Sequence, residues 1–370
     1  MKISCCDRIY LDHAATTPLD PDVCQAMRDA LVGAFGNPSS IHATGRRARA
    51  TLDGARQVIA EALGSQRHEV VFTSGGTEAN NLAIAGMARS RTRDHVIVSA
   101  IEHHAVLRAA HSLRHDGVQV SEVPVDVHGR VLPSVLAEHL GPRTRLVSVG
   151  LANNEIGTLQ DIPLLARMAH EAGALFHTDA VQAAGQVDIN VDRLGVDMLT
   201  VSAHKIYGPK GAGALYVREG VELEPRIVGG AQEIGRRAGT ENMLAIVGFA
   251  VALAKATDGW SHFAKNLAEL SGELVDGVLA AVPDARVTGH PVWRVPSIAS
   301  FVFAGVSADA LLISLDLHGI DASAGAACEA GSVEPSHVIE ALGLPAGFRS
   351  GPLRLSLGHG TSRAQVVQAV

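Results

Sequence analysis

The chain has 370 residues, of which 47% are apolar, 19% charged and only 4% aromatic, and it carries a formal charge of −7. That length suits one large domain plus a smaller one, and the interleaved charges leave no basic stripe for nucleic acid. No run of 18 apolar residues occurs and the opening MKISCCDRIYLDHAATTP is too short and polar for a signal peptide, so no membrane contact is expected and the cytoplasm is the default location.

Short β-rich runs alternate with helical stretches along the first 250 residues. A helix is expected over 46–63, with Ala48, Leu52, Ala55, Ile59 and Leu63 on one face and Gly64 as its stop. Arg46, Arg47 and Arg49 lie in the same stretch and read as a solvated face. Strands are expected at 70–73, 96–99, 119–123, 146–150, 175–178, 198–202 and 214–217. Strands alternating with helices imply crossover units, hence an α/β fold with a mainly parallel seven-stranded sheet. Beyond 250 the pattern changes to a long helix (248–282), a strand (298–303), a helix (308–317) and a strand (353–357). The chain thus divides into a large domain over 16–250 and a smaller α/β domain formed by 1–15 and 251–370.

Three strand ends carry chemistry. In VVFTSGGTEANNLAIAG the strand stops at Thr73, two glycines follow, and Thr77 and Glu78 open a helix. Strand, glycine turn and helix start make an anion site, although a plain tight turn with Thr77 as N-cap has the same pattern. Neither a P-loop nor a G-x-G-x-x-G spacing is present. In FHTDAVQAAG, Asp179 and Gln182 follow a buried-looking strand at the edge where open parallel sheets bind ligands, where a helix-capping Asp is the plainer reading. In MLTVSAHKIYGPKGAGALYV a strand ends at Ser202 and is followed by His204 and Lys205; an isolated lysine there is ordinarily just exposed. Together the three supply a phosphate cradle, a carboxylate and an amine, which are what pyridoxal phosphate requires.

The chain resembles the cysteine desulfurases of the NifS/IscS type, class V aminotransferases of fold type I. The likeness runs from LDHAATTP through FGNPSSIHATG, FTSGGTEANNLAI, ANNEIGTLQDI, HTDAVQAAG, SAHKIYGPKGAGALYVR, RRAGTEN and EPSHVIEALG to LRLSLGHG. The resemblance implies a Schiff-base role for Lys205, a pyridinium partner in Asp179 and a hydrogen bond from Gln182 to the cofactor's phenolic oxygen. It implies that His103 stacks on the ring and moves protons, and that Gly76, Thr77, Ser202 and His204 hold the phosphate. Thr240 would reach the phosphate of a neighbouring subunit, so a homodimer is implied. Asn154 would sit beside cofactor and substrate, and Arg354 would clamp the substrate carboxylate with its two-pronged guanidinium.

Four cysteines are present: Cys5, Cys6, Cys24 and Cys328. They form neither a disulfide framework nor a zinc pattern, and no intrinsic metal is expected. Cys328 lies among small residues, which predicts a mobile loop, and it matches the family's nucleophile. Glu329 stands where the family commonly has Thr or Ser, and a neighbouring carboxylate disfavours a thiolate. The chain ends at Val370 in what reads as a starting helix, where family members often continue. The implied reaction converts L-cysteine to L-alanine with a persulfide on Cys328, for iron–sulfur cluster assembly or thio-modification through a sulfur-acceptor or scaffold protein. Alternatives are a selenocysteine lyase, a class V aminotransferase, a silent scaffold and a histidine-based metal hydrolase.

Overall fold

The computed structural model describes residues 8–87, 93–325 and 336–370. The chain begins with β1 (Ile9–Tyr10), α1 (Pro21–Gly33) and α2 (Ala43–Leu63). Helix α1 starts where Asp20 accepts the Asp22 and Val23 N–H groups, and α2 stops at Gly64, whose φ of +71° favours glycine. Helix α2 starts three residues before the expected 46, because His42 accepts the Gly45 N–H and caps it. Next come β2 (Val70–Thr73), α3 (Gly76–Ala85), β3 (His95–Ser99), α4 (His104–Ser112), β4 (Gln119–Val123) and α5 (Pro133–His139). They are followed by β5 (Thr144–Ser148), α6 (Ile162–Glu171), β6 (Leu175–Asp179), α7 (Val191–Leu194), β7 (Met198–Ser202) and β8 (Gly213–Val217). The remainder holds α8 (Met243–Ala281), β9 (Ala285–Val287), β10 (Ile298–Phe303), α9 (Ala308–Leu317), β11 (Ile320–Asp321), α10 (His337–Ala341), β12 (Pro352–Ser356) and α11 (Arg363–Ala369).

Seven strands form one sheet in the order β2-β8-β7-β6-β5-β3-β4. All neighbours are parallel except β8, which runs antiparallel to both β2 and β7, so the sheet is mainly parallel as the alternation implied. Every residue of β3, β5, β7 and β8 is buried. Helices cover both faces, which is why these strands read as continuous runs instead of alternating ones. The parallel strands all point their carboxyl ends to one edge, and the turns after β3, β6 and β7 open there together with the turn after β2.

A second sheet, β12-β10-β9, is antiparallel, and β1 pairs in parallel with β11. Ile9 and Leu11 share a buried cluster with Leu274, Phe301 and Leu355, so the first strand packs among the last hundred residues. Helix α8 is long and apolar enough to cross a bilayer by length and composition alone. Its first half is instead packed inside the protein, with Ile246, Phe249 and Leu253 buried in the main core. It starts five residues before the expected 248 because Asn242 caps it by accepting the Ala245 N–H.

One buried ion pair secures the β2 edge. Arg56 of α2 donates to both carboxylate oxygens of Glu233 at 2.7 Å and to the Val70 carbonyl at 2.7 Å, and Glu233 also accepts the Phe72 N–H at 2.8 Å. Both side chains are almost fully buried. Removing one member strands the other charge in a low-dielectric interior, so Arg56→Ala should lower unfolding stability by about 3–5 kcal/mol. Denaturant melts of the two proteins measure this, and a loss well under 1 kcal/mol would show that water reaches Glu233.

Candidate active site

The turn after β2 builds the first wall. Gly75 has φ +152°, and a Cβ on Gly76 would lie 2.9 Å from Val181 Cγ2. Helix α3 therefore opens at Gly76 with Gly75 as its cap, one residue ahead of Thr77. The first N–H groups of a helix have no intrahelical acceptor, so this end favours an anion. Glu78 would oppose one, but its carboxylate is turned aside to the Ser74 N–H and to Arg237 Nε, both at 2.8 Å.

The ends of β6 and β7 supply the polar groups. Asp179 accepts from Asn80 Nδ2 at 2.6 Å and from the Val181 N–H at 2.9 Å. Lys205 Nζ donates to the Ala14 and Ala15 carbonyls at 2.5 and 2.7 Å. These two residues belong to the LDHAATTP segment, which also binds the neighbouring turn: Thr17 N–H and Oγ1 both donate to the His204 carbonyl. Ser202 Oγ, the Gln182 side-chain oxygen and Asn80 Oδ1 are buried without a hydrogen-bond partner among the described residues. Gly76, Thr77, Asp179, Gln182, Ser202, His204, Lys205, His103, Asn154 and Arg354 all line one cavity of about 210 Å³.

Burial decides the protonation of the acid–base groups. His103 caps α4, its Nδ1 accepting the Ala105 N–H at 3.0 Å, so the neutral ring carries its proton on Nε2. Desolvation lowers its pKa, with the positive charge of Lys205 acting in the same direction. His204 is lowered to about 4 by burial and then by Lys205 and Lys210. Glu102 moves the opposite way, to about 8, because burial disfavours its charge and Asp179 adds repulsion. Its carboxyl accepts the Gly150 N–H at 2.8 Å.

Arg354 is one of the largest fully buried side chains. Its two terminal nitrogens donate to the Asn154 carbonyl at 2.9 Å and to Asp12 Oδ1 at 2.8 Å, and Nε lacks a partner among the described residues. Asp12, Asn80 and Glu102 are site residues that sequence reasoning missed. The first Asn of TEANN and the Glu of AIEHH stood near residues already singled out, but no local pattern marks them. Thr240 is exposed and does not line the cavity. Cys328 and Glu329 lie outside the described residues.

A helix start suited to an anion, a carboxylate and a lysine on adjacent strand ends, faced by a buried arginine, form a cleft in an α/β fold whose donor set suits a phosphate-bearing cofactor. The family model for class-V aminotransferases matches residues 9–369, and the chain belongs to that family. It is 45% identical to "Cysteine desulfurase IscS" of Dictyoglomus turgidum over 96% of this chain and 91% of that protein. The solved structure of a "NifS-like protein" superposes with a TM-score of 0.92 at 34% identity, covering 98% of this chain and 97% of the other. The structure titled "SspA in complex with cysteine" superposes with a TM-score of 0.83 at 35% identity, covering 94% and 98%.

Glu102 yields a pH test. Its folded-state pKa is raised from 4.5 to about 8, so the unfolded chain releases this proton first. The stability it contributes is complete below pH 4.5 and is lost as pH rises through 8, at no more than about 1.4 kcal/mol per pH unit. Glu102→Gln keeps an acceptor for Gly150 and removes the titration. Its melting temperature relative to the wild type should therefore climb between pH 5 and pH 8; a constant difference would place an ionised Glu102 in the fold.

Proposed function

We propose that the chain is a pyridoxal-phosphate-dependent cysteine desulfurase. The observation that carries this reading is the convergence of Lys205, Asp179, the α3 helix start and Arg354 on one cavity. The relatives named cysteine desulfurase, and the similar protein whose structure contains cysteine, support the substrate class.

The donor set fits the cofactor. Buried oxygens on Ser202 and Gln182 that lack a partner among the described residues lie in the same cavity as Lys205, and the glycines of the turn place no side chain at the α3 N-terminus. Gly76, Thr77, Ser202 and His204 would hold the phosphate, Asp179 the ring nitrogen, Gln182 the phenolic oxygen and Lys205 the aldehyde carbon, with His103 against the ring. When bound, pyridoxal phosphate supplies an electron sink for the substrate's α-carbon.

The protein's own residues then have separate tasks. Arg354, held by Asp12 and the Asn154 carbonyl, receives the carboxylate of L-cysteine. Lys205 Nζ takes the α-proton. His103, neutral with its proton on Nε2, moves protons beside it. The Cys328 sulfur attacks the substrate sulfur. The substrate Cβ–S bond breaks and an S–S bond forms, the sulfurs being oxidised as the carbon is reduced. One L-cysteine and one Cys328 thiol thus become one L-alanine and one Cys328 persulfide, with all atoms accounted for.

The same reading includes a homodimer in which Thr240 reaches the partner's phosphate. Phe35, Ile41, Val228 and Ile234 are exposed apolar side chains of the kind a partner surface would cover. A sulfur-acceptor or scaffold protein would take the persulfide onward, in iron–sulfur cluster assembly or thio-modification.

Cys328→Ala should keep the bound cofactor's colour and lose at least 100-fold in sulfur release from L-cysteine, measured as alanine and sulfide. Undiminished turnover in that variant would sink the nucleophile assignment. Lys205→Ala should lose the visible absorbance of the lysine-bound cofactor, recorded on the purified protein. Persistence of that band would remove Lys205 from its role.

A further inference from the structure

We infer that Glu155 is a positioning residue that registers both flanks of the Cys328 stretch against the Arg354 clamp; the inference rests on the desulfurase reading. The stretch 326–335 begins after Gly325 and ends before Ser336. Ser336 Oγ donates to Glu155 Oε2 at 2.5 Å, and the same hydroxyl caps α10 by accepting the Val338 N–H at 3.1 Å. Gly325, at φ +129°, comes so close that a Cβ there would lie 2.6 Å from the same Oε2 atom. A single carboxylate oxygen, on a residue only 2% exposed, therefore bonds one flank and leaves no room for a side chain on the other.

The residue sits on a stiff support. Asn153 Oδ1 accepts the N–H groups of Glu155 and Ile156 at 2.9 and 3.0 Å, and Asn153 Nδ2 donates to the Ile101 carbonyl at 2.9 Å. Gly157 closes the turn with φ +75° and donates to the Asn153 carbonyl at 3.0 Å. The residue before Glu155 presents the carbonyl that binds Arg354. Consecutive residues of one turn thus fix the arginine and the two flanks. The backbone adds a second tie, since Ser323 and Arg354 exchange N–H···O bonds at 3.2 and 2.6 Å. A displacement of about 1 Å between a nucleophile and its target is enough to slow a reaction on the order of 100-fold. Holding Gly325 and Ser336 from the clamp's own turn fixes the two points between which the nucleophile's stretch must run.

The test uses the cofactor-loaded, full-length enzyme. L-cysteine binding is read from the change in the cofactor's visible absorbance, and labelled persulfide on Cys328 from single-turnover mass spectrometry. Glu155→Ala should slow persulfide formation at least tenfold while the half-saturating cysteine concentration stays within about twofold. Ser336→Ala should move the rate in the same direction by a smaller factor, and Glu155→Gln, which retains an acceptor oxygen for Ser336, should recover part of the loss. Wild-type persulfide rates in both Glu155→Ala and Ser336→Ala would overturn the inference, as would an equal loss of cysteine binding and of rate. If Glu155→Ala does not fold, Ser336→Ala alone decides on the same criteria. Absence of any persulfide on the wild-type Cys328 would overturn the desulfurase reading itself and the inference with it.

Discussion

The Lys205 ammonium is held by two peptide carbonyls, Ala14 and Ala15, delivered from about 190 residues upstream. The site depends on that contact. An amine at the end of a fully buried strand is costly unless oxygens face it. The LDHAATTP segment provides them and at the same time ties Thr17 to the His204 carbonyl and Asp12 to Arg354. Its preceding strand, β1, pairs with β11, and the Asp12 backbone bridges to Ser356 of β12. One short segment therefore joins the lysine of the large sheet to the arginine of the small one.

Around that contact, burial keeps several groups neutral so that the charges left in the cleft are few. His177, beneath Asp179 on β6, lies between Ser148 Oγ at 2.8 Å and Thr200 Oγ1 at 3.1 Å, and desolvation lowers its pKa to about 3. It acts as a hydrogen-bonding spacer across β5, β6 and β7, not as a titrating base. Burial likewise lowers His204 to about 4 and raises Glu102 to about 8, so both are neutral near pH 7. A carboxyl that burial keeps protonated can serve as a neutral hydrogen-bonding group, here to the Gly150 N–H.

The large sheet, and the residues that its strand ends bring to one cavity, were legible in the sequence because their signals are local. A strand, a glycine turn and a helix start within one stretch suit an anion, and Asp179 and Lys205 each follow their own apolar run. What stayed hidden depends on topology. Asn80 contacts Asp179 across 99 residues and Asp12 contacts Arg354 across 342, so nothing near either residue in the sequence announces its partner. Helix ends shifted for a different reason: His42 and Asn242 extend α2 and α8 backward by capping, a side-chain event that apolar periodicity does not register. Thr77 is displaced from the cap by Gly75, whose φ of +152° lets the chain turn two residues sooner.

The turn from Asn153 to Gly157 shows why a motif can be both structural and chemical. An asparagine that bonds two backbone N–H groups ahead of it, closed by a glycine with positive φ, is a common way to stiffen a loop. Here the stiffened residues between them are Asn154 and Glu155, and each presents an oxygen to a different part of the site. A flexible loop could make the same contacts, but it would let the arginine and the flanks of the Cys328 stretch drift independently. Because the turn is also anchored through Asn153 to Ile101, next to Glu102 and His103, its position is set by the end of β3. The arginine, the acid–base groups and the flanks then share one frame of reference, the carboxyl edge of the parallel sheet. The precision of the small sheet's contribution is thereby borrowed from the larger and more deeply buried one.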